Sequence, residues 1–447
     1  MALAFSRLDA GPGLRAFLAD QIAAGDTLNL DIHDEDEMFI GARTVGMGID
    51  AVSTGGYFKA GHQLMFVIRQ IAEWRFGGLD HVGSLLDFAC GYGRLTRFLV
   101  LEVPRDRVWA SDIYSGGVAF VQRALGVHGV VSVTDPAGYS LDQRFDLIVV
   151  PSLFGHLPRR TFVGWLRRLY GLLTPRGVLA FSVQDETLMT DGEMPPEGIH
   201  FDAASESRTL DTAEYGNTFV AERFVGRTIE EVSDGDAAWT RLPRAFGHLQ
   251  DLYVVVSDRS ERFERLSFRH GPRGFLDSVE QTSPARLVLA GWTADPTPGL
   301  GGVEVRVFVD GELRARCQPE GRRDDVARHY RDDRYLHAGW RCAVEGRTPI
   351  DASRALLFIK AVSANGDSCV LQSSTVADAR RFLELQRKDA RRVKLMREQA
   401  AIMTSRVGVA RLKAIAAFHY YRAGRRGVVE RIPGYLMKKL FRPSGRK

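Results

Sequence analysis

The stretch LLDFACGYGRLTRFL, residues 85–99, runs from an apolar segment through an acid into a turn with two glycines, then into a helix-like pattern. A short apolar run broken by Gly91 and Gly93 reads as a buried strand that turns tightly into a helix. A dinucleotide-binding turn has the form G-x-G-x-x-G, whose third glycine lets helix and strand pack closely. Here Gly91-Tyr92-Gly93 is followed by Arg94, Leu95 and Thr96, so the third glycine is missing. An acid just before the turn also disfavours a pyrophosphate, which seeks the positive end of a helix. A ligand bearing an ammonium and a sulfonium suits Asp87 better. Asp112, 25 residues after Asp87 at the end of the next apolar run, can accept hydrogen bonds from two ribose hydroxyls, as in any adenosine-binding site.

Outward from this stretch, short apolar runs alternate with helical patterns. SLLDF, RVWASD, VVSVTD, FDLIVVPS and GVLAFSV read as strands; RLTRFLVLEV, GVAFVQRAL and FVGWLRRLYGLL read as helices. Such alternation predicts an α/β domain, a mostly parallel sheet with helices on both faces. Upstream, GHQLMFVIRQIAEW predicts a helix from Gly61. After Gln184 the regularity lapses until GHLQDLYVVV, residues 247–256, gives one more strand. From about Gly274 short alternating runs (ARLVLAGWTA, GVEVRVFVDGEL, AGWRCAVEG, ALLFIKAVSANG, SCVLQSS) are split by Gly, Asn and Asp turns, which predicts an antiparallel β-sandwich. From Val376 helical periodicity returns. The expected organisation is an N-terminal cap or lid over 1–60, the α/β domain over 61–258, the β-sandwich over 274–375 and a helical basic tail over 376–447.

The net charge of +5 hides an asymmetry. From Arg380 onward there are 20 Lys and Arg against 4 Asp and Glu, whereas the rest holds 40 bases and 51 acids. An acidic body argues against a nucleic-acid-binding core. The tail interleaves its bases with Ile415, Phe418, Tyr420, Tyr421, Leu436, Met437, Leu440 and Phe441, a pattern suited to an anionic membrane surface, with a helix packed on the body or coiled with a second copy as the alternative. No run is long and apolar enough to span a bilayer, and the N-terminus does not read as a signal peptide. The expected location is therefore cytoplasmic, peripheral on the inner face of the cytoplasmic membrane if the tail binds lipid. Cys90, Cys317, Cys342 and Cys369 are expected as free thiols. The acidic run DIHDEDEMF, residues 31–39, lacks the spacing of a calcium loop and reads as a solvated segment; no metal site is expected.

Residues of about 57–257 resemble class I S-adenosylmethionine-dependent methyltransferases. LLDFACGYGRL resembles the family's first motif, SDIY its ribose-binding strand end, FDLIVVPSLFGHLP its fourth strand and LYGLLTPRGVLAFSV the helix-turn-strand that follows. The resemblance implies a Rossmann-like seven-stranded sheet and S-adenosylmethionine as cofactor. It further implies that Gly91 and Gly93 approach the methionine part, Asp87 orients its amine, Asp112 holds the ribose and Asp135 sits near the adenine. Ala89 stands where the family usually has glycine, and its Cβ fits if φ stays negative there. Tyr57 and Phe58, after the Gly55-Gly56 pair, are expected to fold over the cofactor as a lid.

His156, in SLFGHLP, follows the fourth strand and belongs at the reacting end of the sheet, where an imidazole suits proton removal near neutrality. The span from Asp185 to about Gly235 is expected to roof the substrate, with His200, Tyr215, Asn217 and Thr218 as candidate contacts. YFKAG, DFACGYGRL, SLFGHLP, EYGNTF and HLQDLYVVV resemble bacterial methyltransferases of surface-polysaccharide synthesis, while AGWTAD, VDGEL and RRDDVA resemble β-modules fused to glycan enzymes. That resemblance implies a sugar hydroxyl as acceptor. A small-molecule acceptor, or a non-catalytic scaffold that binds cofactor or glycan, is the alternative.

Overall fold

In the computed structural model, residues 5–6, 11–189, 192–204, 210–300, 302–346 and 348–404 are described. Strand β1 (Phe5–Ser6) pairs with β2 (Ile32–His33), and helices α1 (Pro12–Gln21), α2 (Glu37–Val45) and α3 (Asp50–Phe76) precede the sheet. The central strand β3 (Leu85–Phe88) is buried at every residue, as a strand covered on both faces must be. Parallel partners flank it: β4 (Val108–Asp112) and β5 (His128–Val131) on one side, β6 (Phe145–Val150) and β7 (Leu173–Asp185) on the other. Short strands β8 (Ile199–Asp202) and β9 (Asn217–Val220) continue from the end of β7. β10 (Ala238–Phe246) and β11 (Gln250–Val256) complete the seven-strand path β10-β11-β7-β6-β3-β4-β5, with β11 antiparallel to both neighbours.

The period of two in these strands divides the core. Leu85, Leu147 and Val149 join the cluster that includes Tyr57, Phe58 and Ile68 of α3; Leu86, Phe88, Ile148 and Val150 face the opposite cluster. There α6 (Arg159–Tyr170) contributes Phe162, Trp165, Leu166 and Leu169, one apolar stripe at helical spacing. Helices α5 (Ser115–Leu125) and α7 (Glu222–Val232) complete the layers, and α4 (Thr96–Leu99) is a single turn, far shorter than the helix expected across RLTRFLVLEV.

Two antiparallel sheets follow. β12 (Arg273–Ser283), β13 (Arg286–Ala294) and a later strand, β16 (Gly339–Glu345), form one; β14 (Val303–Val309), β15 (Glu312–Cys317), β17 (Leu356–Ser363) and β18 (Ser368–Thr375) form the other. Val303, Val305, Val307 and Val309 alternate inward along β14, and the hairpin turns at Asp310-Gly311 with both φ positive. Helix α8 (Asp324–Tyr330) lies between β15 and β16 in the chain. The free-thiol expectation is corrected here: Cys317 on β15 is bonded to Cys342 on β16 across a Cα separation of 6.1 Å, while Cys90 and Cys369 are free and buried. The pairing joins strands of different sheets, a proximity that spacing along the chain does not display.

The expected boundaries also shift. α3 runs through residue 60, and residues up to Phe382 form one compact unit in which α1 and α3 contact β18. Ser373 Oγ donates to the Gly13 carbonyl at 2.6 Å, and Lys360 pairs with Asp20 at 2.5 Å. The expected tail opens as α9 (Val376–Thr404); its aromatic and aliphatic anchors from Ile415 to Phe441 lie outside the described residues. No helix among the described residues is long and apolar enough to cross a membrane.

Tyr57 and Phe58 are 1% and 0% exposed inside α3, so the lid expectation is corrected: Gly55-Gly56 is helical and is no hinge. The rings are held by a fully buried guanidinium. Arg97 stands 5.3 Å from the Tyr57 ring centre and 5.4 Å from that of Phe58, and it donates to the carbonyls of Gly93, Asn29, Asp31 and Tyr92. Tyr57 Oη accepts from Arg97 at 3.4 Å and donates to Asp36 Oδ2 at 2.6 Å. Removing that hydroxyl leaves a buried carboxylate and a buried cation each short of a partner. Tyr57→Phe should cost about 1.5–3 kcal/mol of stability, the worth of a hydrogen bond to a charged group. Urea denaturation checks this as a lower midpoint at unchanged slope.

Candidate active site

The strand order reverses at β3, which has β4 on one side and β6 on the other, and ligands of open α/β sheets bind beyond the carboxyl ends at such a switch point. A cavity of about 690 Å³ opens there, lined by Asp87, Ala89 and Gly91 of the turn, Asp112 to Tyr114 after β4, Ser132 to Thr134 after β5, and Pro151 to Leu153 with His156 after β6. A volume of roughly 300–1,000 Å³ is usual for small-molecule sites.

The turn is built around two carboxylates. Asp87 accepts from Thr96 Oγ1 at 2.7 Å through Oδ2, while its buried Oδ1 has no hydrogen-bond partner. Burial, above all, pushes the Asp87 carboxyl up to about 7; the Thr96 hydrogen bond and the Arg94 charge oppose the rise only in part, and the Asp112 charge adds to it. Asp112 accepts from the Gly91 N–H at 2.7 Å through Oδ2 and from the Tyr114 N–H at 2.9 Å through Oδ1. Burial raises its carboxyl too, opposed by those backbone donors. A Cβ built on Gly91, at φ +56°, meets nothing within 4 Å, so the turn leaves open space where a ligand can approach the backbone.

The backbone at Ala89 has φ +62°, so the condition for its Cβ to fit without strain is not met. An L-residue in that left-handed region costs roughly 1–2 kcal/mol. Gly93, at φ +77°, does not line the cavity; a Cβ there would come within 2.8 Å of Val121 and 3.0 Å of Leu125, so this glycine serves the packing of α5 on the turn. Asp135 is also off the cavity. Its carboxylate accepts from the Ala137 N–H and caps a short helical turn, leaving Ser132, Val133 and Thr134 on the wall.

His156 lines this cavity and a second one of about 610 Å³. Its Nδ1 lies 2.8 Å from the Gly216 carbonyl, which can only accept, so Nδ1 carries a proton and the lone pair of the neutral ring is on Nε2. The ring stacks on Tyr215 at 4.6 Å. Glu37, Met38, Arg94, His156 and Tyr215 belong to both cavities and form the boundary between them. From the expected roof, Tyr215 and Asn217 reach the first cavity, whereas Thr218 is buried with its hydroxyl on the Leu157 carbonyl and His200 lies away from both cavities.

Sequence reasoning missed the acidic run. Asp36 is 2% exposed, caps α2 by accepting from Met38 N and Phe39 N, and lines the first cavity with Glu37 and Met38. An Asp immediately before a helical pattern was the available signal. Gln184 and Gln250, also on the wall, carried no such signal. Among the described residues no group of three or more His, Cys, Asp or Glu is arranged to hold a metal ion.

Residues 86–179 match the family model for a methyltransferase domain. With the strand order and the turn described above, the match supports reading this part of the chain as an S-adenosylmethionine-dependent methyltransferase domain. S-adenosylmethionine is its cofactor. Over 128 residues the chain is 29% identical to a malonyl-[acyl-carrier protein] O-methyltransferase of Acetivibrio thermocellus, an alignment covering 28% of this chain and 42% of that protein. The chain thus spans less than half the length of this curated relative. Among solved structures it is similar to DhpI in complex with S-adenosylhomocysteine (15% identity, 50% of this chain and 96% of that one, TM-score 0.33). It is also similar to the glycopeptide N-methyltransferase MtfA with the same ligand (20% identity, 39% and 81%, TM-score 0.29).

The methyltransferase turn meets the cofactor's chemistry with an unpartnered carboxylate oxygen where an ammonium can donate, and with open space at Gly91. A cationic ligand binds the ionised form of Asp87, so below about pH 7 binding must first displace a proton. Affinity for S-adenosylhomocysteine should therefore rise with pH up to about 7 and level off above it, with Asp87→Asn abolishing the rise. Calorimetric titration across that range measures it.

Proposed function

We propose that the protein methylates a hydroxyl acceptor, with a sugar hydroxyl of a cell-surface glycan or its lipid-linked precursor as the acceptor class. The observation that carries the proposal is the position of His156, on the wall shared by the methyltransferase cavity and the second cavity, with its Nδ1 proton committed to Gly216. When bound, S-adenosylmethionine supplies an electrophilic methyl group on a sulfonium. Asp87 orients the amino-acid end and Asp112 the ribose, while Ala89 and Gly91 bring backbone close between them. His156 takes the hydroxyl proton at Nε2, and Tyr215 and Asn217 are suited to hydrogen-bond a polyhydroxylated acceptor. Alignment of the reacting atoms can contribute about 7–11 kcal/mol to such a displacement. The likeness to a protein named as an O-methyltransferase favours oxygen as the acceptor atom, and the stretches that resemble polysaccharide methyltransferases favour a sugar. The basic segment from Arg380 onward suits an anionic membrane surface, where a lipid-linked acceptor would reside.

A second reading, a cofactor-binding scaffold without turnover, is favoured by Ala89 at positive φ in the turn. Activity separates the two. Surface glycans from cells with and without the protein should differ by the mass of one methyl group, which also identifies the acceptor. On that acceptor, His156→Ala should lower kcat by roughly 10²–10⁴-fold, the usual contribution of a positioned base, with S-adenosylhomocysteine affinity little changed. Undiminished turnover by the variant would make His156 structural.

A further inference from the structure

The second cavity lies beside the methyltransferase cavity, and its own wall has a distinct chemistry. It is enclosed by α2, α3 and strands β12 and β18, and it carries Lys59, Arg94 and Arg273. Among the described residues none of these three cations forms an ion pair with a carboxylate. Lys59 Nζ stands 5.6 Å from the centre of the Phe275 ring and the Arg273 guanidinium 6.0 Å from the same centre, so both heads lie beside one aromatic ring. Arg273 Nε is buried without an acceptor. Lys59 sits deep in the fold while its surface remains accessible from the cavity. Burial, reinforced by Arg273, holds its ammonium below the usual lysine range against the opposing influence of the Cys369 thiol. Two like charges beside one ring and partly withdrawn from water are unfavourable unless something of opposite charge joins them.

We propose that the second cavity binds an anionic group of the acceptor, a phosphate or a carboxylate, between Lys59 and Arg273 with Phe275 as its apolar wall. The methyl-accepting hydroxyl then lies toward His156, at the boundary with the cofactor cavity. This rests on the methyl-transfer reading, since it assigns the second cavity to the acceptor. It narrows the acceptor to a molecule that carries negative charge at a distance from the methylated oxygen, as a sugar phosphate, a lipid-linked sugar diphosphate or an acidic sugar does. Arg94, on the shared wall, adds positive charge between the two regions.

The probes are phenyl phosphate and phenylacetate, which pair the two candidate anions with an apolar ring. Each is titrated calorimetrically into the full-length protein saturated with S-adenosylhomocysteine, then into Lys59→Gln and Arg273→Gln. Saturable binding of at least one probe by the unaltered protein is expected, and the stronger of the two tells phosphate from carboxylate. Each substitution should weaken it about tenfold or more, the loss of a hydrogen bond to a charged group. Affinity for S-adenosylhomocysteine should stay unchanged in both variants, which also shows that they fold. Absence of saturable binding of either probe by the unaltered protein, or binding by both variants as tight as that of the unaltered protein, overturns the inference. Absence of S-adenosylhomocysteine binding by the unaltered protein would instead overturn the methyl-transfer reading.

Discussion

Arg97 is the constraint around which the cofactor turn is built. A guanidinium removed from water costs several kcal/mol unless its donors are met. This one is 0% exposed and, among the described residues, has no carboxylate of its own. Its donors are met by four backbone carbonyls and the Tyr57 hydroxyl, and its faces lie near the rings of Tyr57 and Phe58. Those carbonyls come from two distant places, residues 29 and 31 before the domain and residues 92 and 93 in the glycine turn. One side chain thereby fixes the N-terminal segment, helix α3 and the turn together. Through Tyr57 it also reaches Asp36, which caps the helix that closes the cavity. The shape of the turn is thus maintained from behind by a polar network and from the side by Gly93 packed on α5, leaving Gly91 and Ala89 to face the ligand.

The two cavities follow from how the antiparallel sheets are placed. Because α1 and α3 pack on β18, the second pair of sheets is part of the wall beside the methyltransferase domain. The first cavity is acidic at its floor, with Asp87 and Asp112; the second carries Lys59 and Arg273, which form no ion pair among the described residues. On the proposed reading, these fields sort a cationic cofactor and an anionic acceptor into neighbouring spaces that meet at His156. Electrostatic preorganisation of this kind acts most strongly where water is excluded.

Much of this was legible in the sequence. LLDF, VWASD and FDLIVV declare buried parallel strands because apolar residues run on both faces, and Asp87, Asp112 and His156 follow from their places at strand ends. Gly93 and Asp135 were misassigned because spacing gives position along the strand end and not direction: one packs inward and the other caps a turn. Tyr57 and Phe58 were misread because a Gly-Gly pair resembles a hinge, and only the burial of Arg97 against their rings shows why the helix continues through it. Asp36 looked like one of several solvated acids. The Cys317–Cys342 bond and the placing of Lys59 and Arg273 beside Phe275 join residues far apart in the chain, which no local pattern can announce.

The central claim is that the carboxyl edge of this sheet holds an adenosine ligand through the acid that ends β4. Asp112 also secures the Gly91 and Tyr114 amides, so its removal strikes the turn as well as the proposed ribose contact. The direct measurement is calorimetric titration of S-adenosylhomocysteine into the full-length protein and into Asp112→Ala, with folding of both checked by circular dichroism. Loss of a charged acceptor worth about 1.5–3 kcal/mol should weaken binding about tenfold or more. Equal affinity in the folded variant would contradict the account.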